Sequence, residues 1–224
     1  MASLDFSKTP ISHFDESSLL TREGEKFMSC DLAYDQLIQL YYQNFHPSHP
    51  FVVPRKALQT ALSRQLPPYL LTMMRCIGAH YHYDSSLRHS LRQSADTTIL
   101  SEDSNPQDGF KVQAMLLMAI ADHASGYEER AGQTLQMAVT LALELGMNTP
   151  YFAFEDSTKN SVLEESWRRT YWELYVVSGL LATLRNQTVF VLHELDTDLS
   201  LPCDEGLYNT TEVCRRQNLL SVRT

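Results

Sequence analysis

The chain has 224 residues, 43% apolar and 20% charged, which fits a folded domain and excludes a disordered chain. Lys and Arg number 18 against 27 Asp and Glu, and the net charge of −9 argues against binding DNA phosphates by this chain alone. The longest unbroken apolar run, Ala114–Ala121, is far shorter than the roughly 20 residues of a membrane span.

Residues 1–30 are polar, lack the basic-then-apolar order of a secretory signal, and read as a poorly ordered leader. A helical domain is expected over 31–205, with 206–224 a short C-terminal tail. Its first helix starts near Asp31, uses Leu32, Leu37, Leu40 and Tyr41, and stops where His46-Pro47 and His49-Pro50 forbid helical geometry. A second is expected over Arg55–Gln65, ending at Pro67-Pro68, and a third over Tyr69–Tyr83. Residues 84–109 are the most polar stretch; Ser86–Ser94 reads as a short helix and the remainder as a loop.

The next elements form the expected centre. Asp108 is a candidate N-cap for Phe110–Ser125, with Gly126 as the stop. The middle of that helix is apolar all round, the mark of a helix inside a core. The following helix, Glu128–Leu145, carries Ala131, Leu135, Ala138, Ala142 and Leu145 on one face, and Gly146 supplies a left-handed end. The short link between them predicts an antiparallel hairpin. Residues 147–160 read as an irregular connector. Ser161 and Glu164 make a capping box for a last helix, whose buried stripe runs from Leu163 through Trp167 and Tyr171 to Leu184. Glu164–Arg168 and Glu165–Arg169 are i,i+4 pairs, each worth about 0.3–0.5 kcal/mol on an exposed surface. The fold class is all-α: an irregular multi-helix bundle with a buried central helical hairpin plus a capping-box helix. Trp172 is expected to be buried within it.

No catalytic constellation emerges. Cys30, Cys76, Cys203 and Cys214 include no C-x-x-C pair and read as small core residues. His80, His82 and His89 lack helical metal-ligand spacing and read as hydrogen-bonded or exposed histidines. Asp196, Asp198, Asp204 and Glu205 read as a solvated acidic loop, since no calcium-loop pattern surrounds them. Met115, Met118 and Met137 are assigned to core filling rather than to a ligand pocket. No cofactor site is expected in this chain, and no enzymatic activity.

Several segments together resemble a known family. Tyr41–Phe51, with Phe45, His46, Pro47 and Pro50, is similar to the "Y-F-x-x-F-H-P-x-x-P" opening of the fungal-specific transcription factor domain. That domain is the middle homology region of fungal binuclear zinc-cluster regulators. Val112–Leu117 resembles its "V-Q-A-L-L-L" helix, and Ala138–Met147, with Gly146, its "A-x-x-L-A-x-x-L-G-L" segment. Glu165–Tyr175, with Trp167, Arg168, Arg169, Tyr171, Trp172 and Tyr175, resembles "E-x-x-R-R-x-W-W-x-L-Y". Leu201-Pro202 stands where the family has a Leu-Pro after an acidic loop.

The sequence departs from the family at Ser178, where an Asp is usual, and at Asn186-Gln187-Thr188, where Gly-Arg-Pro is usual. Asn ranks next to Gly at left-handed helix ends, so the turn at Asn186 is expected to survive. The six-cysteine cluster and basic linker that contact DNA in the family do not precede Tyr41. The resemblance therefore implies a nuclear, non-catalytic regulator of transcription, controlling a fungal metabolic gene cluster of the secondary-metabolism kind. It implies partners among other regulators or a second copy, and a small-molecule effector. DNA would be reached only through a domain outside this sequence or through a partner, and zinc would be held only in such a cysteine cluster. A second reading is a stand-alone truncated helical module that pairs with a full-length regulator and modulates it.

Overall fold

The computed structural model describes residues 32–100, 106–157, 160–187 and 189–211. The leader 1–30, part of the polar loop, Thr188 and most of the tail lie outside the described residues. Among those described, the secondary structure is helical throughout, with no strand. The α-helices are α1 (Gln36–Asn44), α2 (Pro68–Gly78), α3 (Ser86–Ile99), α4 (Gly109–Ala124), α5 (Glu128–Glu144), α6 (Pro150–Asp156), α7 (Ser161–Leu184) and α8 (Glu205–Asn209).

The predicted centre is where the apolar pattern puts it. Val112 and Ala114–Ala119 on α4 are all at most 2% exposed, so this helix is buried on every side. It forms the antiparallel hairpin with α5 and packs on α2 and α7. Asp108 caps α4, accepting from Lys111 N at 2.9 Å and from the Tyr69 hydroxyl at 2.8 Å.

Three helices end by one device. Gly126, Gly146 and Asn186 take φ of 81°, 76° and 58°. In each case the following N–H closes a bond to a carbonyl five residues back: Tyr127 to Asp122, Met147 to Ala142, and Gln187 to Ala182, at 2.9, 2.9 and 2.8 Å. Asn186 thus makes the left-handed turn without a glycine.

Several expectations are corrected. Asp31 lies outside the described residues; a 3-10 turn over Leu32–Tyr34 leads into α1, which Asp35 caps by accepting from Leu37 N and Ile38 N, and the face it buries is Ile38, Tyr41 and Tyr42. Residues 55–65 are two 3-10 turns instead of one helix. Thr60 breaks them with extended backbone, and its hydroxyl oxygen accepts from Leu62 N. The polar stretch after residue 84 is helical to Ile99, because Ala95 and Ile99 are buried and Arg92 is tied to Asp96 and Asp122. Residues 147–160 contain α6, with Pro150 in its first turn. Asn160, not Ser161, caps α7, accepting from Val162 N and Leu163 N. Glu164 pairs instead with Arg168, so the capping box is not formed. Met137 is 47% exposed and takes no part in the core.

The two tryptophans differ in burial. Trp167 is fully buried, with Phe110 4.8 Å and Phe152 6.1 Å from its ring. Trp172, expected to be buried, is only half-buried, because its indole N–H reaches outward to Ser200 O at 2.9 Å. Trp167→Ala should therefore cost about 3–5 kcal/mol in urea unfolding, and Trp172→Ala only about 1–2 kcal/mol.

Candidate functional site: a buried polar lock around residues 50–53

Prolines at 47, 50 and 54 keep His46–Pro54 out of helix. Phe51, Val52 and Val53 are nonetheless at most 1% exposed. A buried non-helical segment without a partner strand must find other donors for its carbonyls. Side chains from across the chain supply them. Val53 O accepts from the Tyr42 hydroxyl at 2.7 Å. Val52 O accepts from His46 Nε2 at 3.0 Å and the Tyr208 hydroxyl at 3.1 Å. Phe51 O accepts from Ser166 Oγ at 2.7 Å and Gln113 Nε2 at 3.2 Å. Pro50 O takes a longer contact from Arg169 Nη1 at 3.4 Å. Gln113 Nε2 also donates to Ser166 Oγ and Thr170 Oγ1, at 2.9 and 2.8 Å, which binds α4 to α7.

The second half of the lock is ionic. Glu165 is completely buried. Its carboxylate accepts from Arg168 Nη1, from Arg169 Nε at 3.0 Å, and from Cys203 N at 2.8 Å. Arg169 is 7% exposed; its Nη2 donates to Cys203 O at 2.6 Å, and its guanidinium lies 4.3 Å from the centre of the Tyr208 ring. Both backbone groups of Cys203 are thus held by one ion pair. Trp172 holds Ser200 O in the same way, so the Ser200–Cys203 loop, with Pro202, lies along α7. The exposed-pair figure of a few tenths of a kcal/mol does not describe Glu165–Arg169, because removing one partner of a buried pair strands the other.

The structure gathers His46, Pro50, Arg168 and Arg169 at this lock, with Pro202 beside it. Phe45 stacks between Tyr41 and His49, 5.5 and 4.7 Å from each, while Pro47 sits exposed in the turn. Tyr171 is buried. Tyr175 is half-buried and its hydroxyl meets His193 Nδ1 at 3.0 Å. Gly146 and Asn186 are helix ends outside the lock. Tyr42, Gln113, Glu165, Ser166, Thr170 and Tyr208 were not singled out as site residues. Ser166 and Thr170 had a readable signal, as small polar residues four apart on an otherwise apolar face. Tyr208 had none, and its full burial carries the packing past residue 205.

His46 and the described cysteines are turned inward as well. Burial holds His46 below the ordinary 6.5, only partly offset by its hydrogen bond to Val52 O, and its ring is neutral at neutral pH. Burial pushes the Cys76 thiol up to about 11, which makes it an inert core residue. Cys76 and Cys203 are buried on different elements, and no group of three potential metal ligands converges among the described residues. No helix of the described residues is long and apolar enough to cross a membrane.

Such a body is all-helical, with its buried polar side chains spent on holding its own loops. Residues 38–221 match the family described as the fungal specific transcription factor domain, and the chain belongs to that family. The C6 finger domain transcription factor iacK of Pestalotiopsis fici is 36% identical over 174 residues, covering 78% of this chain and 26% of that relative. The chain thus spans about a quarter of the length of the curated relative it matches. No solved structure matches it. The family is a transcription-factor domain rather than an enzyme.

Two outcomes test the lock. Glu165→Gln should lower stability by about 3–5 kcal/mol, and Glu165→Gln with Arg169→Met together should cost less than the sum of the singles, in a urea double-mutant cycle. His46 takes up a proton more readily in the unfolded chain. Its contribution is therefore complete above about pH 6.5 and lost as the pH falls further. Unfolding midpoints measured from about pH 7.5 to about pH 5 should fall more steeply for the wild type than for His46→Gln.

Proposed function

We propose that this chain is the regulatory body of a fungal zinc-cluster-type transcription regulator and that it acts in the nucleus. The observation that carries the reading is the 36% identity over 174 residues to a relative whose name places a C6 finger in the same protein. DNA contact belongs to that finger, in a part of the regulator outside this chain or in a partner. The net charge of −9 agrees, since an acidic body does not itself neutralise phosphates. The body's work is to couple a partner, whether another regulator, a second copy or a small effector, to transcriptional output at metabolic genes.

The test is a one-hybrid reporter. The whole chain is fused to an unrelated DNA-binding domain and expressed in a filamentous fungus. Reporter output should differ severalfold from that of the DNA-binding domain alone, and Glu165→Gln should erase the difference. Equal output from the fusion and the bare domain, at equal nuclear abundance, would sink the reading.

A further inference from the structure

The C-terminal half of α7 faces α5 across a cleft of about 220 Å³, closed at one end by Phe190–Leu192. Its floor is apolar and buried: Leu135 and Val139 from α5, Leu181 and Ala182 from α7. Two polar features interrupt it. Ser178 lines the cleft at 9% exposure, and its Oγ has no hydrogen-bond partner among the described residues. In a helix that hydroxyl ordinarily bonds back to the preceding turn, so an unpartnered one beside a cleft is an unmet cost.

Arg185 is the second feature. It lies against α5, where an ideal Cβ on Gly132 would fall 2.3 Å from its Nη2 and 2.6 Å from its Nη1. Only a residue without a side chain lets the guanidinium sit there. One nitrogen, Nη2, donates to Glu128 O at 2.8 Å. No carboxylate among the described residues pairs with it, in contrast to Arg92, Arg130, Arg168 and Arg169. The mouth of an apolar cleft therefore carries a guanidinium with no carboxylate of the described residues in ion-pair contact, with spare donors in a planar fork suited to a carboxylate.

We propose that this cleft binds a small organic anion. Its apolar body lies on Leu135, Val139 and Leu181, and its acidic group meets Arg185. The volume is below the roughly 300 Å³ at which drug-sized pockets begin, so the occupant is a small molecule rather than a peptide or a large cofactor. The inference rests on the regulatory reading above and supplies the effector's chemical class.

The experiment titrates the full chain with decanoate and with decanol by calorimetry. The two probes share an apolar tail and differ in charge. Decanoate should bind at least about tenfold more tightly than decanol. Arg185→Gln should abolish that preference, and Arg185→Lys should keep part of it. Gly132→Ala, which pushes the guanidinium aside without touching the floor, should reduce it. Arg185 is exposed, so its variants are expected to fold, and their circular dichroism and melting curves check this. Equal binding of the two probes, binding of neither, or a preference that survives Arg185→Gln overturns the proposal. The one-hybrid reporter reads independently of this cleft, so a failure here leaves the regulatory reading standing.

Discussion

The structure depends on one constraint: a non-helical segment, Phe51–Val53, is buried in the core with no strand beside it. Three successive carbonyls, from Phe51 to Val53, require donors in a place that water does not reach, and the half-buried Pro50 carbonyl before them meets Arg169. A β-protein would meet this need with a neighbouring backbone. Here the donors are side chains, and they come from α1, α4, α7 and α8 and from the turn after α1. The need of one segment thereby ties together helices separated by more than a hundred residues, as the Ser166–Phe51 bond shows. An unmet buried carbonyl costs roughly 1–3 kcal/mol, so every element that supplies a donor is fixed in place by what its absence would cost.

The Glu165–Arg169 pair extends the same solution to a second loop. A buried ion pair often contributes little beyond what an apolar pair of the same size would. Its value here is directional. Glu165 accepts from the N–H of Cys203 while Arg169 donates to its carbonyl, so α7 reads both polar groups of one residue as a strand would. Arg169 also reaches Pro50 O and packs on Tyr208, which joins the loop, the buried non-helical segment and α8 through one guanidinium. An apolar substitute would fill the volume and leave those backbone groups unmet.

This explains what was legible in the sequence. The α4–α5 hairpin declared itself through an all-apolar run and a one-face repeat between two glycines, because local periodicity encodes burial directly. The left-handed turn at Asn186 was readable from one residue's conformational preference. The lock was legible only in fragments. His46, Pro50, Arg168 and Arg169 stood out through family resemblance, while their purpose depends on Phe51–Val53, which looks like any short apolar stretch. Gln113 and Tyr208 are invisible to periodicity, since a single polar residue in an apolar run acquires its meaning from a partner far along the chain. The polar stretch after residue 84 misled for the same reason. Its remainder read as a loop, yet Arg92 and Arg130 meet the almost fully buried Asp122 and tie α3, α4 and α5 together.

The two halves of α7 differ in kind, and that difference bears on regulation. From Val162 to Tyr171 the helix is buried on nearly every side and held by the lock. From Val176 onward it alternates buried Val177, Ser178 and Leu181 with exposed Val176, Leu180 and Leu184. Stability is not uniform within a domain, and segments with fewer buried contacts open at lower cost. A binding event shifts an equilibrium only where it favours one state over another, which requires a region able to adopt two. The lock removes that freedom from the N-terminal half of α7. The C-terminal half has more of its surface exposed, carries an arginine that no carboxylate among the described residues pairs with, and is joined to the lock through one continuous helix.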